Sequence, residues 1–191
     1  MSGSHRTKLL LAAGIKEMTA GTSFSRIRVG ALCAHCGIDR RTFYYHFRDI
    51  YDLAAWMFNQ IVDDCIPDSS GKFRLSGIKM VMDRMRDDPC FYRSALTEDS
   101  QNALGRHILA NDEQMYQKAA CRLRGVEPLS EEELFAIRYH CFGSLFMLRR
   151  WLFNDCTPSS AEFVRMLADV MPPILREIYE LDADKGGNSD G

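Results

Sequence analysis

The residues best suited to contact a charged partner form one short run of the chain. An arginine guanidinium can donate two parallel hydrogen bonds to guanine O6 and N7, a geometry that distinguishes base pairs. Hydroxyl and imidazole groups suit phosphate oxygens, which fix register without reading sequence. The run reads Asp39, Arg40, Arg41, Thr42, Phe43, Tyr44, Tyr45, His46, Phe47. These residue types indicate contact with double-stranded DNA.

Two short helices and a tight turn are needed to present this run. Ser25, or the residues just after it, should begin the first helix, and Gly37 should end it with a positive φ. Asp39 stands where an N-cap is expected for the second helix. Phe43 and Phe47 are four residues apart, so they share the face that anchors this helix to its neighbours. The pattern predicts a helix-turn-helix, whose second helix enters the major groove.

The whole chain predicts an all-α protein of about nine helices, because apolar residues recur at spacings of three and four. Its 191 residues are 46% apolar and contain only 13 Gly and 6 Pro, which excludes collagen-like, low-complexity and disordered classes. A helix is expected from Leu104 to about Gly125, broken near Asn111.

Two capping boxes mark the later helices. Ser130 with Glu133, and Ser159 with Glu162, can each satisfy free backbone amides reciprocally. Each box is expected to introduce a helix of about 22 residues. The second of these should be kinked at residues 172–173, where two prolines follow each other.

Charge is divided unevenly along the sequence. Residues 1–60 carry a net charge of +4, whereas residues 61–191 carry −6. This division is compatible with a polyanion-binding head on an acidic body. The apolar stretch Leu9–Ile15 is far shorter than the roughly 20 residues of a membrane span. We therefore expect a cytoplasmic protein that does not contact membranes.

The seven cysteines are interpreted as small buried thiols. Cys33 and Cys36 form a C-x-x-C pair, but zinc needs about four ligands, and no second Cys or His pair occurs within 60 residues apart from the lone His46. A redox or metal role is the lesser alternative. No glycine-rich phosphate loop, H-E-x-x-H or G-x-S-x-G occurs in the sequence, so no catalytic residue, metal or cofactor is predicted.

Residues 6–60 resemble the N-terminal DNA-binding domain of the TetR family of bacterial transcriptional regulators. The eleven residues from Gly37 to Phe47 closely resemble that family's turn and recognition helix. Apolar residues also fall at the family's expected positions: Phe24, Val29, Leu32 and Leu53. The resemblance implies base reading by Arg40, Arg41 and Tyr44. It implies phosphate contact by Thr42, Tyr45 and His46.

Two positions depart from the family pattern. Ile50 stands where a lysine commonly contacts phosphate at the start of the fourth helix. Arg28 stands where many members have a threonine that caps the second helix. Arg28 can restore the lost charge but cannot cap, and Ser25 is a possible substitute cap. Losing one phosphate contact lowers the expected salt slope by about one unit without abolishing binding.

The C-terminal half resembles the subgroup that contains regulators of dihydroxyacetone kinase operons. The matching pieces are Phe91-Tyr92, Ser100-Gln101-Asn102, Gly143-Ser144-Leu145, Arg149-Arg150-Trp151-Leu152 and Ser159-Ser160-Ala161-Glu162. The resemblance implies a helix-turn-helix domain over residues 1–50 and a connecting fourth helix over 49–66. A ligand-binding and dimerisation domain should follow over 67–181, after a polar loop at 68–71. Residues 182–191 should be a disordered tail.

Two sets of residues are candidates for sites in this half. An effector pocket needs aromatic walls with a few polar groups, and its candidates are Phe91, Tyr92, Gln101, Asn102, Tyr116, Tyr139 and Phe142. A four-helix dimer interface is implied by the resemblance, and its candidates are Gly143, Ser144, Trp151, Val170 and Ile174.

The leading hypothesis is a homodimeric transcriptional regulator that responds to an unknown small-molecule effector and acts as a repressor. It would bind a near-palindromic operator on double-stranded DNA. One alternative is a TetR-like adaptor that binds DNA weakly or not at all and acts through protein contacts. Another is a small helical enzyme that depends on Cys33 and Cys36.

Overall fold

The structure is a computed structural model that describes residues 3–66, 72–97, 103–125 and 128–181. Within these ranges it contains ten α-helices, one short 3-10 helix and no strand, so the predicted all-α class is confirmed. The helices are α1 (Gly3–Thr19), the 3-10 helix (Phe24–Arg26), α2 (Val29–Cys36), α3 (Arg40–His46), α4 (Ile50–Cys65), α5 (Leu75–Asp87), α6 (Pro89–Thr97), α7 (Leu104–Arg124), α8 (Glu131–Phe153), α9 (Ser160–Asp169) and α10 (Pro173–Ile178).

The helices form two compact units that do not follow chain order. The first unit comprises Met1–Ile61 with Arg84–Ile108, and the second comprises Val62–Asp83 with Leu109–Gly191. We call them the head unit and the body unit. The predicted boundary between a DNA-binding part and a ligand-binding part, at residues 66 and 67, stays a prediction. In the structure, α6 lies beyond that boundary in sequence but packs in the head unit.

The core of the head unit explains why α6 belongs there. The ring of Phe24 is fully buried and packs edge-on against Phe91 of α6, with ring centroids 5.9 Å apart. The Phe24 backbone N–H donates to Ser94 Oγ at 2.7 Å. Lys16 of α1 also forms an ion pair with Asp88, at the start of α6. Burial of one such phenylalanine stabilises the fold by about 1.5–3 kcal/mol.

The predicted helix boundaries around the turn are confirmed. Gly37 ends α2 in the left-handed region, with φ of 65°. Asp39 is the N-cap of α3, and its carboxylate accepts a hydrogen bond from the Thr42 backbone N–H at 2.8 Å. Both predicted capping boxes are present, at Ser130 for α8 and at Ser159 for α9.

Three local expectations are wrong. The helix expected after Ser159 is two helices, because Pro172, which has no N–H to donate, becomes the N-cap of α10 after α9 ends at Asp169. Helix α7 continues unbroken through Asn111. Ser25 does not cap α2, whose N-cap is Arg28 and has no side-chain cap. The loop predicted at 68–71 and the tail predicted at 182–191 lie outside the described residues.

Helices α1 and α2 approach each other closely at Gly14. A Cβ atom at this position would collide with Cys36 Sγ, so any other residue would force the thiol to move. The Cys36 thiol lies 3.6 Å from the Leu10 carbonyl oxygen, to which it donates. Glycine and cysteine therefore set the distance between the two helices that support α3. Across the described residues, no helix is both long and apolar enough to span a membrane.

Candidate nucleic-acid interface

Helix α3 presents aromatic residues on two opposite faces. Phe43 and Phe47 are buried, with ring centroids 5.9 Å apart, and they fix the helix to the core of the head unit. Tyr44 and Tyr45 point the other way, with 52% and 81% of their surfaces exposed. Burial on one side and exposure on the other leave the tyrosine hydroxyls free to meet a partner.

The two arginines at the start of α3 lie in different surroundings. Both residues are exposed. The Arg40 guanidinium lies over Gly30 of α2, where a Cβ added to the glycine would stand 4.0 Å from the Nε and Cζ atoms of Arg40. Arg41 has no hydrogen-bond or ion-pair partner for its side chain among the residues that the structure describes. Arg41 is therefore the guanidinium that can reach a base edge without first leaving a neighbour.

Thr42 is already engaged by the cap of its own helix. Its hydroxyl donates to Asp39 Oδ2 at 2.9 Å, while its backbone N–H donates to Oδ1. These bonds to Thr42 hold the pKa of Asp39 below its ordinary value. A threonine hydroxyl has a single proton to donate. The expected phosphate contact from Thr42 thus requires its hydroxyl to exchange Asp39 for a phosphate oxygen.

The entry of α2 offers further groups to a phosphate. No side chain caps this helix, so its first backbone N–H groups remain available to an anion. Arg28 is exposed beside them, and its one hydrogen bond to the described residues runs from Nη1 to the Ser25 carbonyl at 3.1 Å. Four of its five N–H donors are left for other acceptors.

The position that carries lysine in the family is part of the core here. Ile50 is buried, so it cannot contact a phosphate. Arg48, two residues earlier, is exposed and holds Asp52 through an ion pair at 3.5 Å. Its charge stands just after α3, next to His46, a predicted phosphate contact that is half-buried. Sequence comparison with the family pattern missed Arg48 because the pattern directs attention to position 50.

The residues predicted for an effector pocket belong to both units. Phe91 and Tyr92 are buried in the head unit. Tyr116 is buried in the body unit, where its hydroxyl lies 3.1 Å from that of Tyr179. Tyr139 is 74% exposed on α8, and Phe142 is exposed beside it. Gln101 and Asn102 lie outside the described residues.

The predicted interface residues separate into an outer and an inner group. Gly143 and Val170 are exposed, and Ser144 is half-buried, its hydroxyl 3.2 Å from His140 Nε2. Trp151 is only 2% exposed; its indole stacks on Phe163 and its N–H donates to the Pro158 carbonyl at 2.7 Å. Ile174 is also buried. Trp151 and Ile174 therefore belong to the core of the body unit and have little surface to offer a second chain.

The C-x-x-C pair has the environment of structural thiols. Cys33 is buried and Cys36 is half-buried between α1 and α2. Burial raises the pKa of both thiols, which disfavours the thiolate that metal binding and nucleophilic attack require. Among the residues that the structure describes, no group of three or more His, Cys, Asp or Glu side chains is placed to hold a metal ion.

Comparisons with known proteins give one result that bears on this geometry. The chain matches no protein-family model and no curated protein. It is similar to a solved structure named "Dihydroxyacetone kinase operon activator DhaS", with a TM-score of 0.63. The match covers 90% of this chain and 96% of that chain at 18% sequence identity. The two chains therefore share their all-α fold. At this identity the likeness concerns the fold, and the function has to be argued from this chain's own surfaces.

Proposed function

We propose that the chain is a DNA-binding transcriptional regulator that acts as a homodimer and responds to a small-molecule effector. The observation that carries the proposal is the two-sided α3. Phe43 and Phe47 anchor it, while Arg41, Tyr44 and Tyr45 are exposed on it. In a helix-turn-helix, this side of the second helix enters the major groove.

The groups around α3 suit the DNA backbone. Arg28, Arg48 and the uncapped start of α2 can contact phosphates, which fixes the orientation of α3 without reading bases. Arg40 and Arg41 then read base edges, together with Tyr44. Each phosphate contact releases counterions, so binding should weaken as the salt concentration rises.

Dimerisation is supported by an exposed apolar row on α8. The row consists of Phe135, Tyr139, Phe142, Phe146 and Phe153, which are spaced so that they share one face of the helix, and we call it the α8 stripe. A groove of about 360 Å³ runs beside it, lined by Gly143 and by Val170, which is 70% exposed. Contiguous apolar surface of this kind marks a protein interface.

Two residues predicted for the effector pocket belong instead to the α8 stripe. Tyr139 and Phe142, first considered for an effector pocket, lie in the stripe, and we propose that they contact the second copy. A symmetric dimer brings two α3 helices to one DNA duplex, where they would enter successive major grooves about 34–36 Å apart. The operator is then a near-palindrome.

The response to an effector is supported by the packing of α6 in the head unit. Lys16 pairs with Asp88, and Phe24 contacts Phe91 and Ser94, so α6 packs against α1 and the 3-10 helix that precede the helix-turn-helix. An effector that binds the two states of the dimer unequally would shift the separation of the heads through α6. It shifts occupancy of the operator only by the difference in its affinity for those states.

We propose repression as the direction of regulation and the cytoplasm as its place. A repressor lowers transcription from its own operator when it binds, and the effector restores it. Transcription in vitro from the operator distinguishes repression from activation, the role in the name of the structural neighbour. A rise in transcript on adding the protein would reverse the proposed direction.

Gel shifts with the chain's own upstream DNA test the central proposal. We expect sequence-specific binding at 50 mM salt that weakens at 200 mM salt by about one to several powers of ten, depending on how many phosphates are contacted. Scrambled DNA of the same composition is the control. Light scattering on the same sample gives the mass, which should equal two chains.

The adaptor is the second candidate, because the buried Ile50 takes the place of a phosphate-binding lysine. It predicts no salt-sensitive binding to any promoter fragment, while the dimer and its exposed α8 stripe remain. The absence of binding at both salt concentrations would favour this function and exclude the regulator.

A further inference from the structure

A cleft on the head unit is lined by two residues already given as phosphate contacts, His46 and Arg48, and by others to which no role has been given above. It has a volume of about 480 Å³, which falls within the range of small-molecule sites. The lining combines aromatic rings with three cations, two carboxylates and one side-chain amide. Its walls include Lys8 of α1, His46 and Phe47 at the end of α3, Tyr51, Trp56 and Asn59 of α4, and Arg106 and His107 of α7.

The aromatic rings form a continuous wall. The rings of Phe47 and Trp56 lie 5.8 Å apart, centroid to centroid. Lys8 Nζ lies over both rings, 5.6 Å from each centroid, which places a cation against the apolar surface. Trp56 and Tyr51 are half-buried, so part of each ring remains open to an occupant.

Two of the three cations in the cleft, Lys8 and Arg106, have no ion-pair partner among the described residues. Asp49 is committed to the start of α4, where its Oδ1 accepts the backbone N–H groups of Tyr51 and Asp52 at 2.8 and 2.9 Å. Asp52 is committed to Arg48, from which it accepts a backbone hydrogen bond at 3.0 Å and with which it forms an ion pair. Neither Lys8 nor Arg106 has a carboxylate partner among the described residues.

A hydrogen-bonded pair completes the polar part of the lining. His107 Nε2 lies 2.9 Å from Asn59 Oδ1. Because an amide oxygen can only accept, the His107 Nε2–H donates to Asn59 Oδ1. The Asn59 NH₂ group then keeps its two donors for an anion. Apolar walls with a few convergent donors are typical of a site for an organic ligand.

We propose that this cleft binds a small organic carboxylate with an aromatic body. The body packs on Trp56 and Tyr51, and the carboxylate meets Lys8 and Arg106. A cationic or neutral ligand of the same shape would leave both cations unpaired, so the site selects the charge of its occupant. The binding site itself does not depend on the proposed function.

The place of the cleft gives it a regulatory consequence, which does rest on the proposed function. His46 and Phe47 belong to the end of α3 and its cap, and both line the cleft. An anion bound there adds negative charge beside the helix that is to meet DNA. We therefore expect the ligand to weaken operator binding, in addition to any effector of the body unit.

Intrinsic fluorescence tests the site directly, with 3-phenylpropionate as the probe. The chain has two tryptophans; Trp56 lines the cleft, and Trp151 is buried against Phe163 in the body unit. Titration of the full chain should change Trp56 emission with a dissociation constant below about 1 mM. Trp56→Phe should remove the signal, while calorimetry on the same variant still detects binding.

Charge is tested on both partners. The amide and the amine of the same skeleton, 3-phenylpropionamide and 3-phenylpropylamine, should bind at least about tenfold more weakly. Lys8→Met keeps an unbranched side chain over the rings and removes the charge, and Arg106→Gln removes the other cation. Each substitution should weaken binding of the probe by about tenfold or more. Arg122→Gln, which replaces an exposed arginine of the body unit, should leave binding unchanged. Circular dichroism checks that all variants fold.

The outcomes separate the two proposals. Equal binding of the carboxylate and its amide would contradict the proposal that the cleft binds a carboxylate. Unchanged binding of the probe by Lys8→Met and Arg106→Gln would contradict it as well. So would no binding at any concentration by a chain that still shifts DNA, and the regulator would then stand. Binding of the probe by a chain that shifts no DNA would keep the cleft and exclude the regulator. If the unsubstituted chain does not bind the probe, and Lys8→Met and Arg106→Gln both lose affinity for DNA, the carboxylate site is contradicted. Lys8 and Arg106 would then be identified as phosphate contacts.

Discussion

The chain exposes aromatic rings on two helices, and the residues around those rings differ. On α3, Tyr44 and Tyr45 follow two arginines, and their exposed ends are hydroxyl groups. On α8, four phenylalanines and Tyr139 form the stripe, with Gly143 and Val170 beside it. The first surface can meet a polyanion, whereas the second can be covered only by another apolar surface. Exposure of aromatic residues therefore identifies a contact surface, and its charge identifies the partner.

The largest expected effect comes from placing a charge in the α8 stripe. Phe142→Glu would bury an unpaired carboxylate twice in a symmetric interface, at a cost of about 3–5 kcal/mol for each. We expect a monomer by light scattering and operator binding weakened by more than about 100-fold. Leu123→Glu, at an exposed apolar position of α7, is the control and should stay dimeric. A dimer that survives Phe142→Glu would remove the stripe from the interface.

Removing Arg41 tests the surface of α3. Arg41→Ala should weaken operator binding by about 1–3 kcal/mol and reduce the preference over scrambled DNA. Arg28→Ala is the matched control, because a phosphate contact weakens binding to all sequences alike and lowers the salt slope by about one. Competition gel shifts measure both effects. An unchanged sequence preference in Arg41→Ala would contradict base reading by α3.

The polar group beneath the α8 stripe gives a pH dependence of stability. Burial lowers the pKa of His140 to about 4 from the ordinary 6.5, so the unfolded chain binds the proton more readily. The contribution of the neutral His140 to the free energy of unfolding is therefore fully present above pH 6.5. It falls as the pH drops towards 4, by about 1–2 kcal/mol at pH 5. Urea unfolding at pH 7 and 5 measures it. His140→Gln should flatten this part of the profile; an identical slope in the variant would assign it to other groups.

The cap of α3 gives a smaller effect in a more acidic window. Hydrogen bonds from Thr42 hold the pKa of Asp39 below its ordinary value of 3.8. This contribution is complete above pH 3.8 and is lost as the pH falls through the lower, folded-state value. Asp39→Ala should lower the melting temperature at pH 7. Asp39→Asn should keep most of the stabilisation by the cap, since asparagine is also a good N-cap residue. Equal melting temperatures for the two variants would show that the cap contributes nothing.

Local rules predicted the parts of this molecule that depend on neighbours in the sequence. The left-handed Gly37, the Asp39 cap and the capping boxes at Ser130 and Ser159 each involve groups within three residues of one another. Burial of Phe43 and Phe47 followed from helical spacing alone. The split at Pro172 was missed, because an expected kink and a complete break have the same proline signal in sequence.

Sites assembled from distant residues could not be predicted in this way. Tyr139 and Phe142 were assigned to a pocket by residue type, which does not distinguish an enclosed wall from an exposed one. Trp151 was considered for an interface, although its partner Phe163 lies twelve residues away and buries it. The cleft around Trp56 combines Lys8 with Arg106, and no spacing rule connects positions so far apart.

The contact of Phe24 with Phe91 and Ser94 has a consequence for protein engineering. Exchange of DNA specificity between related regulators is simplest when the reading module can be cut from the chain at one point. Here a cut near residue 61 would separate Phe24 from Phe91 and leave its ring exposed. It would also separate Lys16 from Asp88. A transplanted head must therefore include the surface of α6 that packs against it, and hybrids that lack this surface should aggregate.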